Sequence, residues 1–283
     1  MSEGRKNKYL FMLTPPFCGS TLLWKTIGTS PAVSSLSREG QQVTGVTHVM
    51  PGTKLAKYPE MQVPWRFVKE KWRKKWNLEK PILLEKSTSS IHRADKIKEH
   101  FNPISFVALI RNPYAFCEGV VRRGEEHSWA EAARLWVKCA RSQRWNVIEL
   151  SNVIQVRYED FTDRTEDTIR AIVEFVPELK EIKSPDDSTA TVLGPKSEIE
   201  NINEEKIKRL TPKNVSNINY VLSQHRNIVS FFDYKLRDPS EHSSIRAWGA
   251  RFSTFAVRGL RWMARNQIFS SILAEKIEKH VRR

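Results

Sequence analysis

The chain has 283 residues, 40% hydrophobic and 28% charged, as in an ordinary globular protein that can bury a full core. Its formal net charge is +15, and no run approaches the ~18 apolar residues that a membrane-spanning helix needs. Three scattered cysteines without CxxC spacing predict neither a disulfide framework nor a zinc site. The first residues lack the apolar stretch of a secretory signal, so we expect a cytoplasmic protein, with peripheral membrane contact as the alternative.

The positive charge is concentrated in two segments. Residues 64–80 hold seven Lys or Arg against two Glu, and residues 237–283 hold ten against four acidic residues. A basic chain suggests nucleic-acid binding, but no zinc-finger, basic-zipper or RNA-recognition motif accompanies the charge. An anionic ligand or a membrane surface explains it at least as well. We therefore predict no nucleic-acid partner.

The first predicted element is a strand, a tight loop and a helix. Residues 9–13 form an apolar run that ends in a Thr-Pro-Pro sequence, the pattern of a buried strand stopped by prolines. Gly19, Ser20 and Thr21 follow, and then apolar residues at helical spacing. A glycine beside two hydroxyls at a helix start allows backbone N–H groups to converge on a phosphate. The Walker pattern GxxxxGK[ST] is absent, and an ordinary N-capped helix would have the same local sequence.

A second helical pattern carries tryptophans among basic residues. Trp65, Val68, Trp72 and Trp76 recur near helical spacing. The pattern favours an amphipathic surface helix that packs its tryptophans inward. The alternative is a lid whose cations recruit an anionic acceptor, such as an acidic glycan or a lipid head group.

Three further strands alternate with helices along the chain. Apolar runs at residues 82–84, 105–110 and 153–157 predict buried strands. The helices are expected at residues 93–100, 115–123, 129–150, 165–175, 204–210 and 215–232. Strands that are apolar on both faces and alternate with helices predict a parallel sheet covered by helices. Ligands of such sheets lie at the carboxyl ends of the strands.

Five sequence motifs together resemble the sulfotransferases that use 3′-phosphoadenylyl sulfate (PAPS). PPFCGSTLL at 15–23 is similar to their PRSGTTLL donor loop, and SLSREGQ at 35–41 to a short Gly-Glu segment. LEKSTSSIHRAD at 84–95, FVALIRNP at 106–113 and RYEDF at 157–161 are similar to their EKSP, FVxxxRDP and RYEDL elements. The resemblance implies an α/β fold with a parallel β-sheet flanked by helices, a three-layer sandwich like that of P-loop NTPases.

The resemblance also implies a donor site for PAPS, whose product is adenosine 3′,5′-bisphosphate (PAP), with no metal. Arg111 is expected to bind the 3′-phosphate, and Arg123, Tyr158 and Lys196 are expected to contact the donor as well. A solvated helix end for Arg123 and a packed core position for Tyr158 are the alternatives. The residues expected to cradle the phosphosulfate are Phe17, Cys18, Gly19, Ser20, Thr21 and Leu22.

Two positions depart from the family pattern. Phe17 stands where the family usually has a Lys or Arg near the phosphosulfate bridge, and Gly119 stands where it usually has a serine that contacts the 3′-phosphate. Lys86 is the candidate for the missing charge. The departures motivate an alternative function, a catalytically silent module that retains the nucleotide site. A nucleotide kinase is disfavoured by the missing Walker lysine.

Two carboxylates are candidates for the base that accepts the proton of the acceptor hydroxyl. Glu85 corresponds to the base of the glycosaminoglycan branch of the family, and Glu39 to that of the protein-tyrosine branch. An ion pair for Glu85 and an exposed loop acid for Glu39 are the alternatives. We prefer Glu85. The acceptor is expected to be a hydroxyl of a glycan, a lipid or a small metabolite.

The resemblance ends near residue 236. It divides the chain into a sulfotransferase-like domain, residues 1–236, and a basic tail, residues 237–283. Apolar residues of the tail can share one face of a helix while arginines supply cations, so we predict a C-terminal amphipathic helical extension. Such a helix is expected to dock on the domain or on a second subunit, or to lie on a membrane surface.

Overall fold

Five parallel strands form a sheet in this computed structural model, which describes residues 7–51, 60–183 and 199–242. The strands are β1 (Lys8–Leu13), β2 (Val33–Ser35), β3 (Ile82–Lys86), β4 (Ile104–Ile110) and β5 (Val153–Arg157). Their order across the sheet is β2-β3-β1-β4-β5. The predicted parallel sheet is confirmed.

Helices connect the strands and cover the sheet. Within the described ranges the α-helices are α1 (Ser20–Ile27), α2 (Trp65–Arg73), α3 (Ala94–His100), α4 (Pro113–Arg122), α5 (Trp129–Glu149), α6 (Tyr158–Asp163), α7 (Thr165–Phe175), α8 (Asn203–Ile207), α9 (Pro212–Leu222) and α10 (Arg226–Phe231). Short 3-10 turns lie at Gly40–Gln42, Ser90–His92, Ser223–His225 and Pro239–Glu241.

The two faces of the sheet bury separate hydrophobic clusters. Leu10 and Met12 of β1 point to the face that is covered by α1, α4 and α5. Phe11 and Leu13 point to the other face, which is covered by α2 and α3. This alternation follows from the period of two in a β-strand. Helices on both faces of a parallel sheet make the predicted three-layer sandwich.

The chain order brings the predicted motifs to one edge of the sheet. β1 lies between β3 and β4 in the sheet. The chain runs from β1 toward the β2 edge and from β4 toward the β5 edge, so the strand order reverses between β1 and β4, where ligands of such sheets bind. Met12 pairs with Lys86, and Ile110 pairs with Arg157. The ends of four strands therefore lie side by side.

The tryptophans of α2, and Trp76 just after it, pack inward, as the favoured interpretation predicted. Trp65, Trp72 and Trp76 are buried in the cluster beneath α2 and α3. The indole N–H of Trp72 donates to the Gly40 carbonyl at 3.0 Å, and that of Trp76 donates to the Leu84 carbonyl at 3.2 Å. The helix is thus an integral part of the core.

Two predictions of secondary structure need correction. The expected helix over residues 215–232 is two helices, α9 and α10, separated by the 3-10 turn Ser223–His225. Strand β2 was not predicted; it has three residues, of which two are serines.

The C-terminal tail lies outside the described residues from 243 onward, so its helix and the division of the chain at residue 236 stay predictions. No helix in the described part of the chain combines the length and the apolar character that crossing a membrane would require.

Candidate functional site

The loop between β1 and α1 leads directly into a helix N-terminus. Phe17 and Gly19 have φ angles of 61° and 80°, in the left-handed region. Gly19 has a second reason to be glycine, because a Cβ there would lie 2.5 Å from Cδ2 of Tyr158. The N–H of Leu22 donates to the Gly19 carbonyl at 3.0 Å and closes the first turn of α1, so the N–H groups before it lie at the helix N-terminus and lack an intrahelical acceptor. This is the backbone arrangement that binds phosphate groups.

The side chains of this loop have different environments. Cys18 is buried, and burial raises the pKa of its thiol well above the usual range. Ser20 and Leu22 are also buried. Thr21 is half-buried, and its Oγ1 accepts a hydrogen bond from Nζ of Lys86 at 3.2 Å. The hydroxyl of Thr21 thus lies beside a charged group.

Arg111 follows β4, and fixed contacts hold its guanidinium. Nε donates to Oδ1 of Asn203 at 2.7 Å, and Nη1 donates to the Phe17 carbonyl at 3.1 Å. Cζ lies 3.8 Å from the centroid of the Tyr158 ring. The side chain is buried, yet within the described part of the chain Nη2 has no hydrogen-bond partner. A buried guanidinium N–H of this kind is costly unless an acceptor, preferably an anion, reaches it.

The loop and Arg111 form one continuous surface, and Tyr158 connects them. Its ring packs against both Gly19 and the Arg111 guanidinium. Its hydroxyl donates to the Glu200 carbonyl at 3.2 Å, and burial raises the pKa of the phenol. The two places expected to hold opposite ends of the donor are therefore in direct contact.

The two departures from the family pattern are neighbours in space. A Cβ added at Gly119 would lie 3.3 Å from Cβ of Phe17 and 3.1 Å from Nζ of Lys206. The Phe17 ring centroid lies 4.7 Å from Cζ of Arg123. Burial, and then the charge of Arg122, lower the pKa of Arg123. Positive charge therefore accumulates around Phe17 although Phe17 itself is neutral.

Lys86 ends β3 and reaches the loop between β1 and α1. Besides its bond to Thr21, Nζ donates to Oε1 of Glu39 at 2.5 Å and lies 5.9 Å from the centroid of the Trp24 ring. The Lys86 side chain is 2% exposed, whereas 23% of the Glu39 side chain is exposed. A buried ammonium and a solvent-accessible carboxylate thus lie side by side at the start of α1.

Glu85, the neighbour of Lys86, points to the opposite face of the sheet. Its side chain is fully buried, and Oε1 accepts hydrogen bonds from the Gly40 N–H at 3.1 Å and from the Ser87 hydroxyl. Burial raises the pKa of Glu85 to about 7. A Cβ at Gly40 would clash with this carboxylate and with the Trp72 ring. Glu85 therefore anchors the turn that follows Glu39.

Glu85→Gln should become more stable relative to the native protein as pH rises. The folded state raises the pKa of Glu85 from 4.5 to about 7. Its stabilising contribution is therefore complete below about pH 4.5 and is lost as pH rises through about 7. Glutamine does not titrate, so the variant-minus-native difference in unfolding free energy should grow between pH 4.5 and 8 by up to about 3 kcal/mol.

Urea denaturation at several pH values measures this difference. The exposed Glu149→Gln is the control for the same chemical change at a surface position. A pH-independent difference for Glu85→Gln would contradict the raised pKa of Glu85.

Asn203 and Lys206 belong to this site but were not predicted. Asn203 holds Nε of Arg111, and its own Nδ2 donates to Oε1 of Glu159 at 2.5 Å. The other carboxylate oxygen of Glu159 accepts from the Tyr234 hydroxyl at 2.8 Å. Asn203 lies 92 residues after Arg111, and neither it nor Lys206 falls in any of the five motifs. No sequence signal therefore linked α8 to the site.

The remaining predicted residues form two groups joined by the loop. One contains Arg111, Tyr158 and the surroundings of Phe17, and the other contains Lys86 and Glu39. Lys196, predicted as a donor contact, lies outside the described residues. In the described ranges no three His, Cys, Asp or Glu side chains are grouped so that they could hold a metal ion.

Comparison with solved structures agrees with this architecture. The sulfotransferase domain of the Synechococcus PCC 7002 olefin synthase shares 20% identity over 84% of this chain and 98% of its own, with a TM-score of 0.54. The sulfotransferase domain from the curacin biosynthetic pathway shares 18% identity over 83% of this chain and 100% of its own, with a TM-score of 0.48. At these identities the likeness of the first structure shows a common fold.

The family comparison covers the same motifs. No curated protein matches the chain. The model of the sulfotransferase family matches residues 10–178, which include the loop between β1 and α1, Lys86, Arg111 and Tyr158. Because this match spans more than half of the sequence, the chain belongs to the sulfotransferase family.

Proposed function

We propose that the protein transfers a sulfuryl group from PAPS to a hydroxyl of an acceptor molecule. The proposal depends on the environment of Nη2 of Arg111. This atom is buried beside the loop between β1 and α1, and it lacks a hydrogen-bond partner among the described residues. A 3′-phosphate would accept from this N–H and compensate its burial. Membership of the sulfotransferase family supports the same donor.

The residues around the loop fit the two charged ends of this donor. The N–H groups of Gly19, Ser20 and Thr21 at the start of α1 would bind the 5′-phosphosulfate, as helix N-termini bind other phosphates. Arg111, fixed by Asn203 and Phe17, would bind the 3′-phosphate. Its guanidinium needs little reorganisation for this role, since two of its three nitrogens already have partners.

The second group of residues supplies charge for the transfer itself. When the acceptor oxygen bonds to sulfur, the bond from sulfur to the bridging oxygen breaks, and the acceptor proton must leave. The products are a sulfate ester and PAP. Lys86, bonded to Thr21 of the loop, would stabilise the negative charge on the leaving phosphate oxygen. The family usually has a Lys or Arg for this role at the position of Phe17. The position of Lys86 therefore argues against a catalytically silent module.

Glu39 is better placed than Glu85 to take the acceptor proton. A general base must come within hydrogen-bond reach of the hydroxyl that it deprotonates. Glu39 is partly exposed and bonded to Lys86, which lies next to the loop. Glu85 is fully buried, and its Oε1 is already bonded to Gly40 and Ser87. Glu39 therefore acts as the base in this proposal, and Glu85 positions it through Gly40.

The acceptor is proposed to be a hydroxyl of a glycan, a lipid or a small metabolite. Two of the four cations of α2 already have partners within the fold, so these two give no reason to prefer an acidic one. Lys69 donates to the His100 carbonyl at 2.5 Å, and Arg73 donates to the Tyr9 hydroxyl at 3.1 Å. These cations are thus used within the fold.

Calorimetric titration of the whole chain with PAP and with ATP tests the donor assignment. We expect PAP to bind at least ~100-fold more tightly, since a site that satisfies the 3′-phosphate leaves a buried arginine unpaired when ATP binds. Equal or tighter binding of ATP would contradict the assignment.

Incubation with sulfur-labelled PAPS and a panel of hydroxyl compounds tests the transfer. The panel should contain a neutral and an acidic polysaccharide, a glycolipid, a phenol and an aliphatic alcohol. Labelled ester on any of them supports a transferase. Tight PAP binding with neither labelled ester nor release of labelled sulfate would support the silent module instead.

A further inference from the structure

Gly119 leaves a space in the wall of the candidate donor site, and a lysine from a distant helix fills it. Lys206 belongs to α8, and its Nζ lies 3.1 Å from the point where a side chain at position 119 would begin. The residue is 7% exposed. A buried ammonium normally requires a closely bonded anion, because desolvation of an isolated charge is expensive.

The anion that Lys206 meets inside the protein is shared with other cations. Oε2 of Glu118 lies 3.9 Å from Nζ, at the limit of an ion pair. Oε1 of the same carboxylate bonds Nε of Arg122 at 2.8 Å and Nη1 of Arg209 at 3.1 Å. One carboxylate thus faces three cations, and Oε2 has no hydrogen-bond partner in the described part of the chain.

Two arginines add further positive charge to the same region. Arg111 and Arg123 both act on Lys206 electrostatically, in the sense that disfavours its charged form. Nη2 of Arg111 is buried and lacks a hydrogen-bond partner among the described residues. Two buried cationic groups, one directly after β4 and one in α8, therefore both lack a fully satisfying anion. A phosphate dianion would satisfy both of them.

We propose that the Lys206 ammonium binds the 3′-phosphate of the donor together with Arg111, in place of the serine that the family usually has at position 119. The proposal rests on the proposed PAPS donor and adds a residue that selects for its 3′-phosphate. It makes Gly119 functional, since a larger residue there would crowd Nζ. It also explains why α8 is tied to Arg111 through Asn203.

The charge of Lys206 gives the proposal a pH dependence. Burial first, and then the charge of Arg111, lower the pKa of Lys206 to about 7. Glu118 opposes this shift, and Arg122 and Arg123 add to it. A bound phosphate would raise the pKa again, so binding above pH 7 should take up a proton. The affinity for PAP should accordingly fall as pH rises above about 7, by up to about tenfold per pH unit.

Lys206→Met tests the assignment with PAP and adenosine 5′-monophosphate as probes of the whole chain. We expect the variant to bind PAP roughly 10- to 100-fold more weakly. Its affinity for the 5′-monophosphate should change by less than about threefold, because that ligand has no 3′-phosphate. Lys208→Met removes the same charge from an exposed position just after α8, and it should leave both affinities unchanged.

Proton uptake on binding distinguishes direct phosphate contact from a purely structural role of Lys206, because a structural role would not produce it. Titration with PAP at pH 8 in two buffers of different ionisation enthalpy should show uptake by the native chain and none by Lys206→Met. The native measurement stands even where the variant fails to fold. Absence of proton uptake in the native chain would overturn the role of Lys206. An equal loss of affinity for both ligands in the variant would also overturn it. Equal affinity of the native chain for the two ligands would instead overturn the donor assignment itself.

Discussion

Arg111→Ala is expected to weaken the binding of PAP by about 10²- to 10⁴-fold, because the loss of one partner from a buried charge pair costs about 3–5 kcal/mol. The physical reason is that the rest of the protein already holds this side chain in place. Two of its nitrogens are bonded to Asn203 and to the Phe17 carbonyl, and the third is buried without a partner in the described residues. The guanidinium is therefore already oriented, and little of the binding energy is spent on ordering it.

Calorimetry with PAP measures the loss, and two further variants show its origin. Arg111→Lys keeps the charge but not the fork that bonds Asn203 and Phe17 at once, so it should recover at most a tenth of the lost affinity. Arg134→Ala removes an exposed arginine from α5 and should bind PAP as the native chain does. Thermal melting of each variant separates loss of the site from loss of the fold. Native-like binding by a folded Arg111→Ala protein would remove the central contact of the proposed donor site.

The sheet could be predicted because its strands are buried on both faces. The apolar runs that end at Leu13 and Ile110 lie within one residue of β1 and β4. Strand β2 escaped prediction because it has only three residues and pairs at the edge of the sheet. The break between α9 and α10 escaped for a different reason: residues 215–232 keep a helical apolar pattern across the 3-10 turn at Ser223–His225. Periodicity does not detect such a local change of direction.

The roles of Glu85 and Lys86 could not be assigned without knowing how β3 is oriented in the sheet. Glu85 and Lys86 are neighbours in sequence, and both were expected at the reaction centre. Successive residues of a strand point to opposite faces, so only one of them can face α1. Lys86 does, and it meets Thr21. Glu85 points to the face of Trp72, where it is enclosed. The sequence contained this alternation, but which face would be the reactive one depended on where the helices pack.

The contribution of α8 depended on contacts between distant parts of the chain. Gly119 and Phe17 could be identified as departures from a family pattern, but their mutual contact and the approach of Lys206 could not. Both result from packing between the loop after β1, α4 and α8. Compensation for a missing serine by a lysine 87 residues later leaves no pattern in one sequence.

The second large effect is expected when the proposed general base, Glu39, is replaced. Glu39→Gln should lower the rate of PAPS turnover by about 10²- to 10⁴-fold, the usual contribution of general base catalysis. Its affinity for PAP should stay within about threefold of the native value, because Glu39 contacts Lys86 rather than the loop amides. Hydrolysis of PAPS to PAP and sulfate, with water as the acceptor, provides the measurement before a natural acceptor is known.

Glu85→Gln is the matched comparison, since it makes the same chemical change in the neighbouring carboxylate. A glutamine oxygen can still accept from the Gly40 N–H, so the turn after Glu39 should keep its position. We expect the turnover rate of this variant to lie within about tenfold of the native rate. The two variants therefore give opposite results under the two assignments. A native rate in Glu39→Gln with a large loss in Glu85→Gln would require the enclosed carboxylate to reach the acceptor, and hence a movement of the Gly40–Gln42 turn away from Trp72.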